Sequence, residues 1–383
     1  MSRKVGFLIH HYLILDHFLP VAHQLEEGLV DLIVEDRPES MYGNQVPLVE
    51  EIVKDHFNIV PLSVALSEGL RWKLCVSNHG YSKGLMPSLG LVAVRQMYGL
   101  DNAPWNFGKI NKIFDVAMTH GRFDSEVLLR KFGTKSHIMG YPKQAQGRAG
   151  FRLSQAAENR SSSNEHAKPR VVWLPTMHEA NSILSFSYEV SSLSRDFEVL
   201  VRPHPMTYEQ HPHQITALEK AGCKIVPPGG ESVQALIAAS QFSLHDWGST
   251  AAAAIYAGKI PIFLGQQEGA EGDEMMSPEV IARNLLGAVK EGDLRMQLEE
   301  YLQNSFLMQE KLETVARLRG AFFVDFGGED AKIAASILAK ILEQPVWVSK
   351  FFASRMVRLV RRAKANLSSS GPITELGLRH IKL

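Results

Sequence analysis

Cysteine is nearly absent: the 383 residues hold two, Cys75 and Cys223, far apart in apolar stretches. Without a Cys-x-x-Cys spacing or a cluster of metal-ligating residue types, a disulfide framework and a zinc site are excluded, and two buried reduced thiols are expected. An excess of either charge is missing too, since Lys plus Arg and Asp plus Glu both total 41. A general nucleic-acid binder needs a basic surplus, so nucleic acid is not an expected partner. Long apolar runs are lacking. The longest, Ala251 to Leu264, is broken by Gly258, Lys259 and Pro261 and falls short of the about 20 residues that span a bilayer. The apolar stretch behind Met1 to Lys4 is cut by His10 and His11 and has no secretory h-region, so a cytoplasmic protein is expected. Also missing are a Gly-x-x-x-x-Gly-Lys-Ser/Thr loop and an Asp-x-Asp pair behind a strand. Neither a metal nor a cofactor is therefore expected, and charge on a phosphate would fall to helix N-termini, Arg202 and histidines.

The length exceeds what one hydrophobic core supports, so two domains are expected. Val5 to Ile9, Leu29 to Val34, Leu74 to Ser77, Val116 to Thr119 and Ser136 to Met139 read as short buried strands. Helices are expected over Asp16 to Leu29 and Asp124 to Phe132, the latter closed by Gly133. Arg152 to Lys168 is polar and aperiodic around Ser161 to Asn164, which suits a linker. Beyond it strands at Arg170 to Leu174, Phe197 to Val201, Lys224 to Val226, Phe242 to His245 and Ile260 to Leu264 alternate with helices near 182–194, 208–221, 231–239 and 250–257. Such alternation argues for parallel sheets covered on both faces. The expected plan is an N-terminal α/β domain over 1–150, a linker over 151–168, a second α/β domain over 169–345, and a basic amphipathic helix and tail over 346–383. In that tail Phe351, Phe352, Met356, Leu359 and Val360 interleave with Lys350, Arg355, Arg358, Arg361, Arg362 and Lys364. The pattern suits a helix packed on a domain face, or a peripheral contact with an anionic membrane surface.

The chemistry-bearing residues sit where strands end. After Phe242 to His245 come Asp246-Trp247-Gly248-Ser249-Thr250 and an alanine-rich helix. Gly248 permits a tight turn, and Ser249 and Thr250 put hydroxyls beside unsatisfied helix amides, where an anion is favoured; a plain helix cap would use the same residues. After Phe197 to Val201 come Arg202-Pro203-His204-Pro205, whose prolines hold His204 in an extended loop as a phosphate contact or proton donor. Asn78-His79-Gly80 ends a strand of the first domain; if the two domains face each other across a cleft, His79 suits a general base, and a plain turn at Asn78 and Gly80 with His79 solvated would use the same residues. Strand ends also carry His10 and His11, Thr176 in Pro175-Thr176-Met177-His178-Glu179, and Lys143 in Gly140-Tyr141-Pro142-Lys143. Thr176 and Lys143 are candidate phosphate or nucleotide contacts.

Taken in order, His79-Gly80, Gly140-Tyr141-Pro142, Pro175-Thr176, Arg202-Pro203-His204-Pro205 and Asp246-Trp247-Gly248-Ser249-Thr250 resemble the motifs of the CDP-glycerol glycerophosphotransferases of teichoic-acid and capsule synthesis. These belong to the GT-B superfamily, with two Rossmann-like domains facing a central cleft. The resemblance implies a transferase that moves a glycerol-phosphate or sugar group from a nucleotide-activated donor, CDP-glycerol foremost, to a hydroxyl of a cell-surface polymer or lipid-linked precursor. It implies His79 as base and His204 as diphosphate contact, with Arg202, Asp246, Gly248, Ser249 and Thr250 around the donor phosphate. The sequence departs from the family at Gly248, where a small hydroxyl residue is usual, and at Tyr81-Ser82-Lys83-Gly84, where Thr-Pro-Leu-Lys is usual. Other readings of the same residues are a CMP- or UDP-sugar glycosyltransferase, a UDP-sugar 2-epimerase and a non-catalytic nucleotide-binding protein.

Overall fold

The computed structural model describes residues 4–79, 85–100, 106–144, 168–179, 181–246, 248–265, 277–346 and 348. The chain divides into two compact units. In the first, β1 (Val5–Ile9), β2 (Val30–Val34), β3 (Asn58–Pro61), β4 (Trp72–Ser77), β5 (Gly90–Gln96), β6 (Val116–Thr119) and β7 (Lys135–Ile138) form one sheet in the order β3-β2-β1-β4-β5-β6-β7. Every pairing is parallel, with Val5 opposite Val30 on one side and Leu74 on the other. β1 and β2 are buried at every position, as strands covered on both faces must be. The covering helices are α1 (Leu15–Ala22), α2 (Val46–Val53), α3 (Leu62–Ser67), α4 (Leu85–Leu89) and α5 (Arg122–Phe132). α1 stops well short of Leu29: Pro20 lies inside it, and Gly28 turns the chain with φ +75°.

The second unit carries β8 (Arg170–Leu174), β9 (Glu198–Val201), β10 (Phe242–His245), β11 (Pro261–Leu264) and β12 (Ala288–Val289), all parallel, in the order β12-β11-β10-β8-β9. Of the strand expected at 224–226 a single bridge forms, Val201 to Ile225. With that bridge the order is the doubly wound 3-2-1-4-5-6 pattern. Its helices are α6 (Ile183–Ser192), α7 (Thr207–Gln210), α8 (Pro212–Lys220), α9 (Val233–Ala239), α10 (Ser249–Ala257), α11 (Pro278–Leu286), α12 (Leu294–Gln303) and α13 (Ser305–Phe322). The helix expected near 208–221 is two, because Pro212 opens a new one at its first position. The sheet sorts its side chains by alternation. Val171 and Trp173 join Phe186, Phe242 and Leu294 in one core, while Val172 and Leu174 join Leu236, Ala253 and Ala254 in the other.

One boundary differs from the expected plan. The chain leaves the second unit at Ala321, and the described residues from Phe322, including α14 (Asp330–Glu343), belong to the first. Specific backbone contacts hold them there: Val324 N–H donates to His120 O at 3.0 Å, and Tyr141 N–H to Asp330 Oδ1 at 2.8 Å. A β-carbon on Gly121 would lie 2.2 Å from Phe322 O, and one on Gly140, which has φ +74°, 2.0 Å from Asp330 Oδ1. The turn at Gly140-Tyr141-Pro142 is thus the seat of the returning chain. The linker expected at 151–168 and the basic helix at 346–383 lie outside the described residues, save Lys168, Val346 and Val348.

Candidate functional site

In open parallel sheets, ligands bind outside the carboxyl ends of the strands where the winding reverses. In the second unit that reversal falls between β8 and β10. Asp246, 2% exposed, ties the two strand ends together: its Oδ2 accepts the Thr176 N–H at 3.0 Å. Burial pushes its carboxyl above the usual range, opposed by hydrogen bonds from Ser182 and Thr176. The Asp246 carboxylate, expected at the phosphate, is therefore turned into the protein and sets the loop that carries Thr176.

Two residues on, Gly248 has φ +116° and ψ −177°, a conformation closed to L side chains. It also leaves α10 without a side-chain cap. Ser232 and Ser277 cap α9 and α11, accepting first-turn amides at 3.1 Å, while α6, α8 and α12 share with α10 the lack of a side-chain cap. Ser249 and Thr250 occupy the first turn of α10, where unsatisfied amides and the helix dipole favour an anion. Thr250 Oγ1 lies 3.1 Å from His245 Nδ1. His245 is fully buried, and burial, with the Arg283 charge nearby, pushes its pKa down to about 3. It is neutral, and it locks the Thr250 hydroxyl.

At the end of β9 Arg202 donates its N–H to Trp173 O at 2.8 Å and its Nη1 to Val226 O at 3.2 Å. His204 Nδ1 accepts the Met206 N–H at 3.2 Å. A neutral His204 must then carry its proton on Nε2, which makes that atom a donor and rules it out as a base.

In the first unit the winding reverses between β1 and β4, and these strands end in His10 and His79, whose rings meet edge-on with centroids 4.7 Å apart. Burial lowers the His10 pKa to about 2, with His79, His11 and Arg37 adding to the effect. Burial, with the Arg95 charge, lowers that of His79 to about 4. Both imidazoles are neutral at pH 7. The Ser77 hydroxyl fixes the His79 backbone, donating to His79 O at 2.7 Å. Further rings continue the row: Tyr98 lies 5.7 Å from His79 and 4.5 Å from His17, and Tyr42 5.3 Å from His10. Gln45 staples the two loops involved, accepting from Tyr12 N–H at 3.1 Å and donating to Tyr42 O at 2.5 Å.

Of the residues expected from sequence, Thr176, Arg202, His204, Asp246, Gly248, Ser249 and Thr250 lie in the second unit, and His79 and Lys143 in the first. Lys143 was expected with the donor-phosphate residues. It stands in the first unit, within the expected 1–150 domain, beside α1, its Nζ 3.2 Å from His17 Nε2 and 3.7 Å from Asp16 Oδ2. Gly80 and Trp247 lie outside the described residues. Sequence reading missed Tyr42, Gln45, Tyr98 and Arg283. Tyr98 alone carried a local signal, two residues beyond the apolar run of β5. Among the described residues no group of three or more His, Cys, Asp or Glu side chains could hold a metal ion, and no helix is long and apolar enough to cross a membrane.

No family model and no curated protein matches the sequence. Solved structures do. The wall teichoic acid polymerase TagF superposes with a TM-score of 0.58 at 16% identity, over 90% of each chain. A UDP-GlcNAc 2-epimerase from Neisseria meningitidis bound to UDP-GlcNAc gives 0.53 at 11%, covering 88% of this chain and 99% of that one. A further UDP-N-acetylglucosamine 2-epimerase gives 0.55 at 13%, covering 89% and 98%. The fold is GT-B. At these identities the likeness carries the two Rossmann-like units of GT-B and no substrate.

Proposed function

We propose that this chain is a GT-B transferase that moves a glycerol-phosphate or sugar group from a nucleotide-activated donor, CDP-glycerol foremost, to a hydroxyl of a cell-surface polymer or its lipid-linked precursor. The observation that carries the reading is the uncapped first turn of α10 at the reversal point of its sheet, entered through Gly248 at φ +116°. That is an anion site built from backbone amides. Ser249 and Thr250 bind the donor phosphate there, and His204 donates from Nε2.

His79, held neutral, takes the proton of the acceptor hydroxyl. With CDP-glycerol the acceptor oxygen forms a bond to the glycerol-bearing phosphorus. The bond from that phosphorus to the bridging oxygen breaks, and CMP leaves with the electron pair. A nucleotide-sugar donor is instead attacked at its anomeric carbon. Epimerisation is the second reading, favoured by the two epimerase neighbours. It needs carboxylates to withdraw and return a proton. Among the described residues, the buried carboxylates at strand ends are already committed. Glu35 is forked onto Arg37 at 2.8 Å, Asp124 accepts the amides of His120, Gly121 and Ser125, and Asp246 accepts that of Thr176. Transfer is therefore preferred.

The test is nucleotide release from CDP-glycerol, CMP-sugars and UDP-sugars by the full chain and by His79→Ala and His204→Ala. One donor is expected to be turned over, with each variant reduced at least about a hundredfold. Turnover of no donor, or undiminished turnover by both variants, refutes the transferase.

A further inference from the structure

Arg283, on α11, is a cation with 7% of its surface exposed. Its Nη1 donates to Gly265 O at 2.8 Å and its Nη2 to Asp246 O, while the guanidinium lies 4.8 Å over the Phe263 ring. Asp246 and Gly265 are the residues immediately after β10 and β11, the two strands that α10 connects. One buried side chain thus ties off both strand-end carbonyls that flank the helix.

The electrostatic consequence is specific. A carbonyl oxygen facing an anion repels it, whereas a carbonyl engaged by a guanidinium does not. The charges that face Arg283 are the Asp246 and Glu279 carboxylates, and burial works against them by lowering its pKa; a guanidinium nevertheless stays protonated at neutral pH. His245, which also faces it, is neutral. A buried positive charge therefore sits at the entry of α10, where the helix contributes roughly half a charge of the same sign.

We infer that Arg283 is a positioning residue for phosphate at α10. It fixes the Asp246 backbone and draws the strand-end carbonyls away from the anion, without itself touching the ligand. This rests on the phosphate reading of α10.

The test compares the full chain with Arg283→Met and Arg283→Lys by calorimetry against pyrophosphate, CDP, UDP, cytidine and uridine, with circular dichroism to monitor the fold. Wild type is expected to bind pyrophosphate and at least one nucleoside diphosphate. Arg283→Met should weaken the phosphate-bearing probes at least about tenfold, and leave affinity for the corresponding nucleoside unchanged. Arg283→Lys keeps the charge and reaches one carbonyl, so it should weaken them about threefold; it carries the test alone if the methionine variant does not fold. Unchanged phosphate affinity in the folded variants, or equal loss for nucleoside and diphosphate, overturns the inference while leaving the α10 reading standing. If wild type binds no phosphate-bearing probe, the α10 reading fails and takes the inference with it.

Discussion

His79 offers a quantitative test of the first unit. Burial and Arg95 bring its pKa from 6.5 to about 4 in the folded chain. Between pH 4 and 6.5 the unfolded chain therefore binds the extra proton, and stability falls as pH drops through that window. At about 1.4 kcal/mol per unit, the full difference is about 3.4 kcal/mol, of which about 2 kcal/mol is already lost at pH 5. Replacing His79 by glutamine removes the proton site and keeps a polar side chain. Urea unfolding should then show wild type losing about 2 kcal/mol more than His79→Gln between pH 7 and pH 5. The signal is Trp72 fluorescence in a chain whose other four tryptophans are replaced by phenylalanine, because that indole is buried in the first unit, where its Nε1 donates to Asp31 at 2.7 Å. Two units need not unfold together, so the transition reported by Trp72 is the one to fit. His10 titrates beside His79, but burial is the first cause of its own shift, so its contribution survives in both proteins. Equal pH dependence in the two would refute a buried, neutral His79. The same shift fixes the catalytic profile: kcat/KM should stay flat from pH 7 to about 5 and fall only near pH 4. A fall centred near 6.5 would mean the base is solvated.

Two glycine substitutions probe the turns. Gly248→Ala forces a β-carbon into φ +116°, at a cost of about 1–3 kcal/mol. Nucleotide release from the donor should drop while the pH slope of Trp72 unfolding stays as in wild type. Gly140→Ala places a β-carbon 2.0 Å from Asp330 Oδ1 at φ +74°; a thermal melt should show the first unit weakened by about 2 kcal/mol or more, and an unchanged melt would mean the returning chain is not seated on that turn.

Much of the fold was legible because parallel strands buried on both faces must be written as apolar runs. Val5 to Ile9 and Val199 to Val201 carry that signature, Phe242 to His245 carries it only at alternate positions, and the residues behind the strands, Asp246, His204 and His79, follow from the strand ends. The illegible parts share a physical cause. β5 runs straight off α4 with no turn residue between Leu89 and Gly90, and contains Arg95, which reads as exposed. It is instead buried by bonds to Asn106 and Asn111. Segment 224–226 looks like a strand, yet forms one bridge. The return of the chain at Phe322 depends on Asp330 capturing the Tyr141 amide 189 residues away, and no local period encodes such a contact. Arg283 was invisible likewise, because its partners are backbone carbonyls of residues 265 and 246. Asp246 was noticed for its chemistry, but burial decides its task.

The two reversal points share a topology and differ in electrostatics. At β1 and β4 the buried His10 ring and the half-buried rings of His79 and Tyr98 disfavour charge, and the pKa values of both histidines fall. At β8 and β10 a helix terminus and Arg283 supply positive potential, while His245 stays neutral. A proton acceptor and an anion holder need these opposite settings. Desolvation keeps an imidazole neutral and able to accept a proton, whereas an anion held directly against it raises its pKa. On the proposed function the base and the anion site stand on different sheets, so each environment is set by its own strand ends. At the neighbouring strand end, after β9, His204 accepts the Met206 amide on Nδ1, so its neutral form carries the proton on Nε2 and acts as a hydrogen-bond donor, not a base.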